Sequence, residues 1–207
     1  MEYIDAILYI NLENREDRKI HILNEIHKIC QDENKIHRID AIKKDPGAIG
    51  CGYSHIKALQ YAFDHPEWNT ILILEDDFTF HSEFPIEIQT SLDVFLNYCD
   101  NYDMGLLSFN NKEIKYNDTR FSFMKRVIYS QTTSSYIIKR GYIKTLMNNM
   151  TEALYDMVRN GVKHENAIDI YWTKLMPMGK WYAIYPALGY QYANYSDIQK
   201  QFTYYGC

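Results

Sequence analysis

A chain of 207 residues with 46% apolar and 24% charged side chains carries enough apolar material for one sizeable core. Its formal charge of −5 excludes a nucleic-acid binder working through a generally basic surface. No apolar run approaches the length of a bilayer and no basic segment with a long apolar core opens the chain, so a cytosolic protein with no membrane span is expected.

Cys30, Cys51, Cys99 and Cys207 are scattered without the short spacing of a zinc knuckle or redox motif; they are expected to be reduced, with Cys51 as a small packing residue. Ile4 to Ile10 reads as a buried first strand ending at Asn11-Leu12. Next, Ile20, Leu23, Ile26 and Cys30 fall near helical spacing, and Glu13, Glu16 and Asp17 crowd the first turn, as a helix dipole favours. Strand, polar turn and helix open a βαβ unit. Arg15 and Arg18 lie about a turn apart beyond the strand's carboxyl end, where open α/β sheets bind ligands. Two arginines there suit a diphosphate, or else pair with Glu13 and Glu16 at the surface.

Lys35 to Ile42 reads as a second strand, with Asp40 beyond it either accepting from a ribose hydroxyl or forming a turn. Gly47, Gly50 and Gly52 are expected ahead of a helix whose apolar face is Tyr53, Ile56, Leu59 and Phe63. His55 in its first turn either touches a ligand or serves as a structural hydrogen-bonder.

Asn69 to Phe80 (NTILILEDDFTF) is the chain's most informative stretch. Ile71 to Leu74 lacks alternation, as a strand buried on both faces does, and delivers Glu75, Asp76 and Asp77 in succession. Three adjoining acids repel one another unless a positive charge sits among them, and hard oxygen ligands suit Mn2+ or Mg2+. The plainer alternative is a solvated acidic turn.

A helix is expected over Ser82 to Tyr98, a strand over Tyr102 to Phe109, and a flexible loop beside the site from Asn110 to Lys125. Val127 to Tyr129 and Ser135 to Ile138 read as two short strands joined by a polar turn, and Gly141 to Met150 and Glu152 to Arg159 as separate helices. Asp169, Trp172 and Thr173 fall on neighbouring turns of another helix. A carboxylate beside a large ring suits sugar chemistry, although an acid is also favoured at any helix start. A last strand ends at Pro186, followed by a polar tail with Gln191, Ser196 and Asp197. No repeat or linker interrupts the chain, so one α/β domain over residues 1–207 is expected, with a mixed, mostly parallel sheet flanked by helices.

The segments YINLENREDR, HRIDA, GAIGCGYSHIKAL, ILILEDDF, SSYIIKRGYIKTL, IDIYWTKL and the tail with ALGYQ and SDI occur in the order seen in glycosyltransferase family 25, which the chain resembles over most of its length. That family includes lipooligosaccharide galactosyltransferases and galactosyltransferases acting on collagen hydroxylysine. The resemblance implies a glycosyltransferase A-type fold and inverting transfer of a hexose, galactose foremost, from a UDP-sugar to a glycan or collagen-like acceptor. Its acidic Asp-any-Asp motif corresponds here to Glu75-Asp76-Asp77, with Glu in the first place. It implies Asp77 as a ligand of Mn2+ or Mg2+ and Glu75 as a metal or ribose partner, and places Asn11, Leu12, Arg15, Arg18, Ser54 and His55 toward the donor, where Asp40, Asp76 and Gln191 are also expected. An inverting displacement also needs a base opposite the departing diphosphate: Asp169, with Asp197 in reserve and Trp172 positioning the acceptor. Two other classes compete: an inactive sugar-nucleotide-binding accessory module, and a phosphatase of the haloacid dehalogenase kind, whose nucleophilic aspartate is wanted after the first strand, where Asn11 stands.

Overall fold

The computed structural model describes residues 3–99, 101–196 and 201–203. In chain order its elements are β1 (Ala6–Asn11), α1 (Glu16–His27), β2 (Ile36–Asp40), α2 (Gly47–Phe63), β3 (Thr70–Glu75), β4 (Phe78–Phe80) and α3 (Pro85–Tyr98). There follow β5 (Met104–Leu106), β6 (Lys115–Asp118), β7 (Met124–Tyr129), β8 (Ser135–Lys139), α4 (Ile143–Asn160), α5 (Ile168–Tyr171), β9 (Trp181–Ile184), β10 (Gly189–Gln191), β11 (Asn194–Ser196) and β12 (Gln201–Thr203). Eight strands form one sheet in the order β2-β1-β3-β8-β5-β9-β7-β6, in which β8 and β7 run against the others.

The unpatterned apolar strands have a direct cause. Alternate residues of β1 and β3 enter two different cores: Leu8, Ile10, Ile71 and Ile73 pack under α2 and α4, while Ile7, Tyr9, Leu72 and Leu74 pack under α1 and α3. Both faces are covered, so neither strand needs a polar side. The carboxyl ends of β1, β2 and β3 and the amino end of antiparallel β8 therefore share one sheet edge. This is the edge at which open α/β sheets take ligands.

Several elements differ from the expectation. The glycines lie inside α2 rather than ahead of it, because small residues let that helix approach its neighbours. A Cβ on Gly52 would sit 3.3 Å from Leu154 of α4 and 3.4 Å from Ile168. The two helices expected between 141 and 159 are one, and the Thr151 hydroxyl donates to the Met147 carbonyl 2.7 Å away instead of breaking the turn. The presumed loop from 110 to 125 contains β6, an exposed edge strand paired with β7, and Lys125 binds Asp118 across that hairpin. The polar segment 130–134 does not close a hairpin: β8 sits between β3 and β5, whereas β7 lies beyond β9. The segment crosses the ligand edge of the sheet instead. Finally, β10 pairs with β4 in a small separate ladder, setting Gln191 opposite Phe78, one residue after Asp77. Gly189 allows that approach, since a side chain there would strike the Phe78 ring and the Thr79 carbonyl.

Candidate active site

A cavity of 680 Å³ opens at this sheet edge, within the range of small-molecule sites. Leu12, Arg18, Ser54, His55, Glu75, Asp76, Asp77, Asp169 and Gln191, drawn from distant parts of the sequence, all line it. The acid triplet is divided between two tasks. Asp76 is tied down by the Asn11 amide at 2.8 Å and by Arg18 Nη1 at 2.9 Å. Arg18 Nη1 also reaches Asp77 Oδ2 at 3.1 Å. Asn11 lies beneath the cavity wall, donates to the Arg15 carbonyl and accepts from Arg38, so it orients Asp76 from behind.

Glu75 and Asp77 converge on the side chain of Gln191, whose Nε2 is 3.2 Å from Asp77 Oδ1 and 3.4 Å from Glu75 Oε2. The other Glu75 oxygen receives the Thr133 hydroxyl at 2.7 Å and lies 3.1 Å from His55 Nε2. His55 Nδ1 is 3.0 Å from the Tyr136 hydroxyl. Asp169 Oδ2 accepts from the Thr132 backbone N–H at 3.3 Å, and the Thr132 hydroxyl donates to Gln191 Oε1 at 3.0 Å.

The electrostatics are uneven. Burial pushes the Asp77 carboxyl up to about 7, aided by the neighbouring charges of Glu75 and Asp76 and only partly countered by Arg18. Burial also raises Asp76, against Arg18 and Asn11, and raises Asp169, with Glu75 adding to the effect. Glu75 goes the other way: burial raises it, but His55, the Thr133 hydroxyl and Arg18 together hold it below the ordinary glutamate range. Burial first, and then the like charges beside it, set Asp77 apart from Glu75.

Three expected residues take other places. Trp172 is fully buried, with its indole N–H on the Ser130 carbonyl at 3.0 Å and its ring edge-on to Trp181 and Tyr136, so it has no face to offer an acceptor. It anchors the 130–134 segment instead. Asp40 is exposed and paired with Arg38, while Ala41 and Ile42 after it line the cavity. Arg15 pairs with Asp17 and does not line the cavity. Ser54 works structurally: its hydroxyl donates to the Gly50 carbonyl at 2.7 Å and accepts the Ile42 N–H at 2.8 Å, pinning the loop from 41 to 45. Asp197 lies outside the described residues.

The structure also brings in residues that the sequence reading passed over. Lys43 and Lys44 stand exposed at the rim, and Gln131, Thr132 and Thr133 come from the segment read as a simple turn. A run of two lysines before Pro-Gly and a Gln-Thr-Thr-Ser run between apolar strands were the signals available. Cys51, expected to be packing, faces the cavity from α2; burial and the nearby acids push its thiol well above the ordinary value.

Among solved structures the chain is similar to a protein from STIV, at TM-score 0.50 and 13% identity over 96% of this chain and 92% of that one. It is similar to a glycosyltransferase involved in the glycosylation of the major capsid of PBCV-1, at TM-score 0.51 and 9% identity over 86% and 80%. The glycosyltransferase GlyE of Streptococcus pneumoniae TIGR4 matches at TM-score 0.51 and 6% identity over 88% of this chain and 45% of that one. At such identities the likeness carries the fold, which is the glycosyltransferase A-type α/β architecture. No curated protein sequence matches the chain. The sequence profile of glycosyltransferase family 25 (LPS biosynthesis protein) matches residues 45–164, which include α2, the acid triplet and the 130–134 segment. The chain thus belongs to glycosyltransferase family 25.

Proposed function

We propose that the protein is a metal-dependent inverting hexosyltransferase. It moves a hexose, galactose foremost, from a UDP-sugar to a hydroxyl of a glycan or collagen-like acceptor. The observation that carries this reading is the convergence of Glu75 and Asp77 on one point of a ligand-sized cavity, where each holds an oxygen on the Gln191 amide. Their hard oxygens fit Mn2+ or Mg2+. A divalent ion held by Glu75 and Asp77 supplies Lewis-acid neutralisation of a departing diphosphate.

The chain's own groups supply the rest. Lys43 and Lys44 attract the diphosphate at the rim, and Leu12, Ala41 and Ile42 give apolar wall to the nucleoside. Asp76, locked by Asn11 and Arg18, keeps the acid turn in its conformation. Asp169 takes the acceptor hydroxyl's proton as that oxygen attacks the anomeric carbon from the face opposite the leaving group. Its elevated pKa brings it nearer the pH at which a base must both be ionised and hold a proton.

The deciding experiment is a screen of several UDP-sugars, with manganese and after chelation, reading donor consumption and the anomeric configuration of the product. Turnover that requires the metal and inverts the anomeric centre is expected. Turnover indifferent to chelation overturns the metal assignment, retention overturns Asp169 as base, and donor binding without consumption selects the inactive accessory module.

A further inference from the structure

Cys51 and His55 stand one turn apart on α2, and both face the cavity toward Glu75 at the end of β3. A donor atom from each of the three residues lies within 4.8 Å of the other two. The His55 ring is already aimed, because the Tyr136 hydroxyl holds Nδ1 and leaves Nε2 3.1 Å from Glu75 Oε1. A tetrahedral ion with bonds of about 2.0–2.3 Å spaces its ligand atoms roughly 3.3–3.6 Å apart. The imidazole and carboxylate are nearly at that spacing, and the Cys51 sulfur lies within 4.8 Å of both, leaving the two edges to sulfur for the thiol to close. Sulfur, nitrogen and one oxygen form the donor set of a borderline-soft cation, not of manganese or magnesium.

We propose that Cys51, His55 and Glu75 form a second cation site, for a thiophilic divalent ion such as zinc or cadmium, with its fourth position open to the cavity. Binding replaces the His55–Glu75 hydrogen bond with two metal bonds. The thiol proton passes to solvent, because the thiolate is the ligand, and the His55 ring proton moves from Nε2, where it bonds Glu75, to Nδ1, where the Tyr136 oxygen accepts it once the phenol hydrogen turns away. The site borrows Glu75 from the hard-cation pair, so the two ions exclude each other and zinc inhibits transfer. That consequence rests on the function proposed above; the binding itself does not.

The test is a cadmium titration of the whole chain without donor, read by thiolate-to-cadmium charge-transfer absorption in the ultraviolet. The wild type is expected to show a saturable band that Cys51→Ser loses, and manganese-supported turnover of Cys51→Ser is expected to be unchanged while its zinc sensitivity falls about tenfold or more. A wild type without the band, or a variant that keeps it, overturns the site. In the unmutated chain, cadmium is expected to slow alkylation of Cys51 by iodoacetamide about tenfold while manganese does not, as mass spectrometry of the Cys51 peptide shows. Equal alkylation with and without cadmium likewise overturns the site. If no UDP-sugar is turned over, the absorption and alkylation results still decide it. Equal zinc inhibition of wild type and variant, with the band lost, overturns the sharing of Glu75.

Discussion

Thr132 donates its backbone N–H to Asp169 from a left-handed conformation with φ of +75°. A β-branched side chain is rarely found there, and the strain is of order 1–3 kcal/mol. The same residue's hydroxyl holds Gln191, which touches both Glu75 and Asp77. One strained residue thus joins the carboxylate on α5 to the acid pair on the β3–β4 turn.

Thr132→Gly is expected to separate stability from activity. Relief of the strain stabilises by about 1–3 kcal/mol, while the lost hydroxyl bond and the added freedom of glycine in the unfolded chain cost about 1–2 kcal/mol together. The net effect is small, so the melting temperature should stay within about 4 °C of the wild type. Turnover should fall about tenfold, because Gln191 loses the Thr132 hydroxyl and the backbone N–H that holds Asp169 then sits on a freer residue. A melting temperature lowered well beyond that range would mean that Thr132 contributes to the fold in a way this geometry does not show.

The Asp77 carboxyl predicts an unusual pH dependence of stability. Its folded pKa of about 7 lies above the ordinary value of 3.8, so between these pH values the folded state binds more protons than the unfolded state. Its contribution is therefore fully present below pH 3.8 and is lost as pH rises through about 7. Chelated wild-type protein should lose stability to urea over this window relative to Asp77→Asn, which cannot ionise. Added manganese should remove the difference in slope by favouring the ionised carboxylate. Parallel stability profiles for chelated wild type and variant would show that Asp77 is compensated by groups other than a bound ion.

The rim lysines give a third test. Exposed charges act at long range and are screened by salt, so they belong to donor capture more than to chemistry. Replacing Lys43 and Lys44 together by Ala should raise the donor KM about tenfold at low salt with kcat changed by less than about twofold, and high salt should narrow the gap. A loss confined to kcat would instead assign the lysines to the transition state.

Much of this architecture was legible because it rests on short-range pattern. The unalternating runs of β1 and β3 announced two covered faces, and Glu75-Asp76-Asp77 announced a charge problem at a strand end. How the three acids share their protein partners was not legible. That division depends on Asn11 and Arg18 returning from the first βα turn to hold Asp76, a contact spanning 65 residues for Asn11. Trp172 was misplaced for a related reason: an acid and an aromatic at helical spacing look alike whether the ring faces solvent or core. The short α5 passes into a 3₁₀ turn at Trp172 and sends the indole inward to Ser130. The 130–134 segment reads in the sequence as a polar turn joining two short strands, because strand order across a sheet leaves no local mark.

The glycine segment supplies the last prediction. Gly50 and Ser54 lie one turn apart on α2 and grip the same loop, Gly50 by letting it come close and Ser54 by bonding it. A methyl group on Gly50 would run into the Ile42 carbonyl and sit 3.0 Å from the Lys44 nitrogen, both backbone atoms that can yield only if the loop moves. Ser54→Ala removes the acceptor of the Ile42 N–H, a cost of about 1–3 kcal/mol. Gly50→Ala should cost a similar amount through overpacking. The two losses should not add. Once the added methyl has pushed the loop off α2, the Ser54 bond is already broken, so the double variant should fall short of the sum by about 1 kcal/mol or more. Urea unfolding of the four proteins measures this coupling, and strict additivity would mean that the loop is held to α2 by something other than this pair.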